Sequence, residues 1–201
     1  MAKDHQRVHP KFKLNGASFK ELAFTFTNKN SLIENKDLAS FLSDWLNEND
    51  QIKLKTSGTT GDPKEIKVDK KAMILSAQNT GKYFNIMAGD NALLCLPIEF
   101  IAGKMMIVRA IVLGLDLHIT SPNSAPINDL TQDFNFVSMT PFQLEKNINY
   151  IHKIKCLLIG GSPVSENLRE KIINKTSGVF ETYGMTETVS HVAVKNLSAG
   201  E

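Results

Sequence analysis

The chain has 201 residues, 42% hydrophobic and 22% charged, the balance of an ordinary globular protein with length for one substantial core or two small ones. Its formal net charge is +2 and its lysines are scattered, so nothing in the charge supports a nucleic-acid partner. The polar opening Met1-Ala2-Lys3-Asp4-His5-Gln6-Arg7 lacks the apolar centre of a signal peptide. The most apolar window, 100–115, is broken by Lys104 and Arg109 and is too short to span a bilayer; a cytoplasmic protein without membrane insertion is expected.

In chain order, Leu22 to Phe26 reads as a strand after a loose amino-terminal arm. Residues 37–47 carry Leu38, Phe41, Leu42, Trp45 and Leu46 at helical spacing, predicting an amphipathic helix with Trp45 in the core. Residues 51–55 and 65–68 alternate, predicting two strands around Thr56-Ser57-Gly58-Thr59-Thr60-Gly61-Asp62-Pro63-Lys64. That nine-residue segment holds four hydroxyls, two glycines and a lysine, with only the proline ring to bury. Glycines let successive backbone N–H groups converge on an anion, hydroxyls add donors, and lysine adds charge. A polyphosphate is the natural anion for so long a loop, although Asp62-Pro63 would also serve a plain hairpin tip. A Walker loop is excluded, because its lysine follows glycine directly and opens a helix.

Asp69 is placed to cap a helix running to about Phe84. Then come a strand over Ala92 to Leu96, a helix over Ile101 to Leu113, a strand over Asp116 to Thr120, and a loop over 121–126. A strand over Phe136 to Thr140 leads into a short helix opened by Pro141, and Ile154 to Ile159 is a strand running into Gly160-Gly161. Ser165 caps a helix to Asn174, with Glu166 and Glu170 early and Lys175 late, as the helix dipole prefers. Val179 to Thr182 is a strand delivering Tyr183, and Val189 to Val194 alternates again. This succession predicts an α/β fold, a largely parallel sheet with helices on both faces. Ligands of such sheets collect at the carboxyl ends of strands. Leu96-Pro97, Gly160-Gly161 and Tyr183 to Glu187 each follow a predicted strand, so they are expected to share one rim. Cys95 and Cys156 lie in apolar runs and read as buried free thiols. His118 and His191 read as structural and His152 as solvated.

Thr56 to Lys64 resembles the phosphate-loop signature [ST]-S-G-[ST]-T-G-x-P-K of the adenylate-forming superfamily, which includes acyl-CoA ligases, luciferases and peptide-synthetase adenylation domains. Three further segments are similar to signatures of that family, in the same order: Leu96 to Gly103 to L-P-x-x-H-x-x-G, Gly160-Gly161-Ser162-Pro163 to G-G-x-P, and Tyr183-Gly184-Met185-Thr186-Glu187 to Y-G-x-T-E. The resemblance covers roughly residues 50–195. It implies an amino-terminal arm and amphipathic helix over 1–50 and an AMP-binding core over 51–201.

The chemistry implied by the resemblance joins a carboxylic acid to ATP, releasing pyrophosphate, and then passes the acyl group to the thiol of coenzyme A. By the same resemblance Thr56, Ser57, Gly58, Thr59, Thr60, Gly61 and Lys64 hold phosphates, and Gly160, Gly161, Ser162, Tyr183 and Gly184 border the nucleotide. Thr186 contacts the α-phosphate, and Glu187 holds Mg²⁺, for which a carboxylate is a suitable hard ligand. Lys64, Thr186 and Glu187 are the catalytic candidates, and Phe100 and Gly103 line the acyl pocket. Phe100 stands where the family usually has histidine, which implies a differently gated pocket. The resemblance also implies elements not found after Glu187: a ribose-binding aspartate, a hinge and a mobile domain with a catalytic lysine. A core portion that does not complete the reaction alone is therefore expected.

Within the family, the Leu96 to Arg109 stretch and the compact layout are most similar to o-succinylbenzoate–CoA ligases of menaquinone biosynthesis. Lys104 and Arg109 are candidates to neutralise the second carboxylate of that acid. They are five residues apart on a predicted helix, do not point the same way, and read equally well as solvated. Other aryl or fatty acyl-CoA ligases, a carrier-loading adenylation domain, and a non-catalytic nucleotide-binding module are the alternatives.

Overall fold

The computed structural model describes residues 3, 8–22, 35–55, 65–173 and 178–198. Its main sheet has eight strands in the order β10-β9-β8-β7-β5-β6-β1-β2. These are β1 (Lys13–Leu14), β2 (Ala17–Ser18), β5 (Asn91–Leu94), β6 (Asp116–Ile119), β7 (Phe134–Met139), β8 (Ile154–Ile159), β9 (Val179–Gly184) and β10 (His191–Asn196). From β1 to β9 across the sheet every pairing is parallel, while β2 and β10 close the two edges antiparallel. β3 (Gln51–Lys55) and β4 (Glu65–Asp69) form a separate antiparallel hairpin. The expected α/β architecture is present.

Helices cover both faces. On one, α1 (Lys36–Leu46), α2 (Lys70–Tyr83) and α3 (Ile101–Leu113) bury Trp45, Met73 and Met106 in a core shared with Leu94, Phe136 and Leu158 of the sheet. On the other, α4 (Pro141–Lys146) and α5 (Glu166–Ile172) bury Leu144, Leu168 and Ile172 with Leu93, Val137 and Leu157. The alternation of Leu93 and Leu94, or of Leu157 and Leu158, between these cores is the period-2 alternation of a strand buried on both sides. α1 carries the predicted apolar stripe, and Asn35 caps it by accepting from the Asp37 and Leu38 amides. Among the described residues no helix is long and apolar enough to cross a membrane.

Three local expectations need correction. The predicted strand over Leu22 to Phe26 is overturned at its one described residue: Leu22 lies in a helical turn over 19–22, while 23–26 are outside the described residues. The cause is a capping box, in which the Glu21 carboxylate accepts from the Ser18 amide at 2.6 Å and the Glu21 amide faces the Ser18 hydroxyl at 3.4 Å. Asp69 occupies the N-cap position of α2 but makes no capping bond. Its carboxylate instead accepts from Gln51 Nε2 at 2.8 Å, across the last pair of the β3–β4 hairpin. Finally, α5 stops at Ile172, short of Asn174.

Candidate functional site

The order β9-β8-β7-β5 places four consecutive parallel strands side by side. Parallel strands share one carboxyl edge, so the segments that follow them meet along it. These are 95–100 after β5, Thr140 after β7, Gly160 to Val164 after β8, and Met185 to Ser190 between β9 and β10. Three of the four signature segments are thereby on one rim. The fourth, Thr56, Ser57, Gly58, Thr59, Thr60, Gly61 and Lys64 with the residues between, lies outside the described residues. Its two flanks are the expected strands, paired out to Lys55 opposite Glu65.

After β8, the chain must turn close to its neighbours. A Cβ on Gly160 would come within 2.9 Å of Thr182 Oγ1, and Gly161 has φ +91°, a conformation side chains rarely adopt. Gly161 and Ser162 are exposed, ready for close backbone approach. After β9, Tyr183 is 64% exposed at the strand end. Thr186 is half-buried, and Glu187 is exposed with no partner among the described residues. The turn holding them is tied from within. The Met185 amide donates to Thr188 Oγ1 at 2.9 Å, that hydroxyl donates to the Ser190 carbonyl at 2.8 Å, and the Val189 amide donates to the Thr186 carbonyl at 3.0 Å. Val189 has φ +70°; for a β-branched residue this stores about 1–3 kcal/mol of strain, the kind that gathers at ligand-binding turns.

After β5, Phe100 is the half-exposed N-cap residue of α3. Gly103 is buried, and a Cβ there would collide with the Pro97 carbonyl oxygen. The residue permits contact between α3 and its own leading loop. Lys104 reinforces this contact, donating to the Ile98 and Glu99 carbonyls at 2.7 and 2.6 Å. Burial lowers its pKa.

Arg109 departs most from the sequence reading. The solvated-face alternative is overturned, since Arg109 is only 3% exposed. Its neighbours are Ser190 Oγ at 2.6 Å from Nη2, Thr80 Oγ1 at 3.4 Å from Nε, His191 Nδ1 at 3.5 Å, and the Phe136 ring. Among the described residues no carboxylate pairs with it. Burial pulls its pKa down to about 10. His191, desolvated and beside this guanidinium, falls to about 4 and is neutral near pH 7. The signal for Arg109 was a lone charge inside the apolar run Met105-Met106-Ile107-Val108-Arg109-Ala110-Ile111.

Sequence reasoning also missed Gln143. Buried on α4, it completes a capping box with Thr140 and donates to the Cys95 carbonyl at 3.0 Å, joining the ends of β5 and β7. Thr140-x-x-Gln143 was the available pattern. Cys95 and Cys156 are buried free thiols as expected, each pushed up to about 12 by desolvation. His152 is exposed, and among the described residues no three His, Cys, Asp or Glu side chains form a metal cluster.

The chain is 30% identical over 148 residues to a 2-succinylbenzoate–CoA ligase of Enterococcus faecalis, covering 68% of this chain and 30% of that one. The Bacillus subtilis ligase of the same name is 29% identical over 146 residues. The chain thus spans about 30% of the length of the curated relatives it matches. An acyl-CoA synthetase (AMP-forming)/AMP-acid ligase II-like protein from Dyadobacter fermentans superposes with TM-score 0.78 at 37% identity, covering 87% of this chain and 53% of that one. The Bacillus subtilis o-succinylbenzoate CoA synthetase solved with an acyl-adenylate intermediate gives TM-score 0.65 at 25% identity, covering 72% and 40%. Residues 47–200 match the family described as AMP-binding enzyme, and the chain therefore belongs to the AMP-binding enzyme family.

Proposed function

We propose that this chain is the nucleotide-binding portion of an AMP-forming acid–thiol ligase that activates o-succinylbenzoate and transfers it to coenzyme A. The observation that carries the reading is the placement of Leu96–Gly103, Gly160–Pro163 and Tyr183–Glu187 at the carboxyl ends of neighbouring strands. In the first half-reaction a carboxylate oxygen attacks the α-phosphorus of ATP and pyrophosphate leaves. In the second, the coenzyme A thiolate attacks the acyl carbon and AMP leaves. Both partners of the first step are anions, so neutralising and aligning charge supplies much of the catalysis.

In this reading Thr56 to Lys64 holds the β- and γ-phosphates, Thr186 donates to the α-phosphate, and the Tyr183 ring and the Gly160–Ser162 backbone border adenosine. Glu187 suits Mg²⁺, since it is an exposed carboxylate committed to nothing else among the described residues; the ion, when bound, would neutralise phosphate charge. Phe100 and the Gly103 contact shape the acyl side. For the acid itself, the support is Arg109. A buried guanidinium with no carboxylate partner among the described residues is costly, and a dicarboxylic acid would bring a second carboxylate to offset that cost. Names of relatives at about 30% identity point the same way.

Calorimetric binding of non-hydrolysable acyl-adenosine analogues tests this without requiring turnover. The o-succinylbenzoyl analogue is expected to bind at least tenfold more tightly than its benzoyl or medium-chain acyl counterparts. Equal affinity for all three would replace the named acid with a general acyl-CoA ligase reading. Binding of Mg·ATP with no gain from any acyl group would favour a non-catalytic nucleotide module.

A further inference from the structure

The segment Gly160 to Val164 is fastened to β9 at both ends. At its start, Thr182 Oγ1 donates to the Ile159 carbonyl at 3.0 Å and packs against Gly160. At its end, Glu181 Oε1 accepts the Val164 amide at 2.9 Å. Glu181 Oε2 pairs with Arg169 Nη2 of α5 at 2.6 Å, and Arg169 Nε donates to the Val164 carbonyl at 3.2 Å. One carboxylate and one guanidinium thus take both backbone polar groups of a single residue. The pair is mostly shielded, at 22% side-chain exposure for Arg169 and 18% for Glu181. Glu166 also lies 3.7 Å from Arg169, but at 88% exposure it adds little.

Between the two fastenings only Gly161, Ser162 and Pro163 stand exposed. A crest containing a positive-φ glycine has many accessible conformations unless its ends are held. Glu181 is two residues from Tyr183 on β9, so the clamp and the ring project from the same face of one strand. We propose that Glu181 and Arg169 are positioning residues that hold the Gly160–Ser162 turn in register with Tyr183, giving adenosine a preformed cleft. The proposal rests on the nucleotide reading above. Preorganisation of this kind raises affinity by removing an ordering cost at the moment of binding.

The test is calorimetric affinity of the whole chain for AMP and for pyrophosphate, in wild type, Glu181→Ala and Arg169→Gln. AMP is assigned to the turn, whereas pyrophosphate is assigned to the separate segment Thr56 to Lys64. Both variants are expected to weaken AMP about tenfold and leave pyrophosphate unchanged. Arg169→Lys, which keeps charge but loses the fork, is expected to recover part of the loss. If Glu181→Ala does not fold, Glu181→Gln retains an acceptor for the Val164 amide and serves the same comparison. Equal weakening of AMP and pyrophosphate would overturn the proposal, as the residues would then merely support the fold. Unchanged AMP affinity in the variants would overturn the clamp alone. A wild-type chain that binds no AMP would overturn the nucleotide reading and the clamp with it.

Discussion

Arg169 and Arg109 both stand behind the carboxyl-terminal rim, and they are held in opposite ways. Arg169 meets a carboxylate at 2.6 Å and a backbone carbonyl at 3.2 Å while keeping some contact with water. Arg109 is desolvated among Ser190, Thr80, His191 and Phe136, and no acid balances it among the described residues. The first arrangement satisfies its charge internally, so it can fix a turn. The second leaves a charge that no acid balances among the described residues, which is why an anionic ligand is proposed for it. The rim is thus prepared in two senses, by geometry near β8 and β9 and by potential near α3.

The sharpest way to break this contrast is Arg109→Met, which keeps volume and removes the charge. Affinity for the o-succinylbenzoyl analogue is expected to fall roughly three hundredfold, as when one partner of a buried ion pair is lost. Stability against denaturant is expected to hold or to rise by about 1 kcal/mol. A stability loss of several kcal/mol with unchanged affinity would make Arg109 a structural group.

His191 sharpens the same side through pH. Its pKa is lowered from 6.5 to about 4, by burial first and by Arg109 second. Between those values the unfolded chain takes up a proton that the folded chain refuses, so its contribution to stability is lost as pH falls from 6.5 to 4. The cost is on the order of 3 kcal/mol at pH 4 relative to pH 7. His191→Gln is expected to flatten the pH dependence by about that amount in denaturant titrations, whereas a curve parallel to wild type would remove His191 from the buried cluster.

A smaller effect is expected where α3 meets its leading loop. Gly103→Ala places a Cβ against the Pro97 carbonyl and should cost about 2 kcal/mol by chemical denaturation. Because Arg109 is carried by the same helix, analogue affinity should weaken with it while AMP affinity, governed by the clamped turn, should not. Weakening of both would join the two sides of the rim into one unit.

Much of this was readable along the chain, for reasons that are local. Strand and helix periodicity placed β5 to β9 and α1 to within a few residues, because each such element buries a face and its pattern shows it. The misplaced strand at Leu22 shows the limit. An apolar run is ambiguous over five residues, and the Ser18 and Glu21 side chains decide it in favour of a helical turn. Asp69 shows a second limit, since a good capping residue can be drawn to a partner across a hairpin, here Gln51.

The candidate site divides along the same line. The glycine turns, Tyr183 and the turn after β9 are contiguous segments that follow predicted strands, so the sequence by itself located them, and the observed strand order set their common edge. Tertiary structure alone decided which charges behind that edge are neutralised. Arg109 and Ser190 are 81 residues apart, and Glu181 meets Arg169 from a different element. Pairing or isolation of a buried charge depends on distance through space and on loss of water, and neither is written in the spacing of residues along the chain.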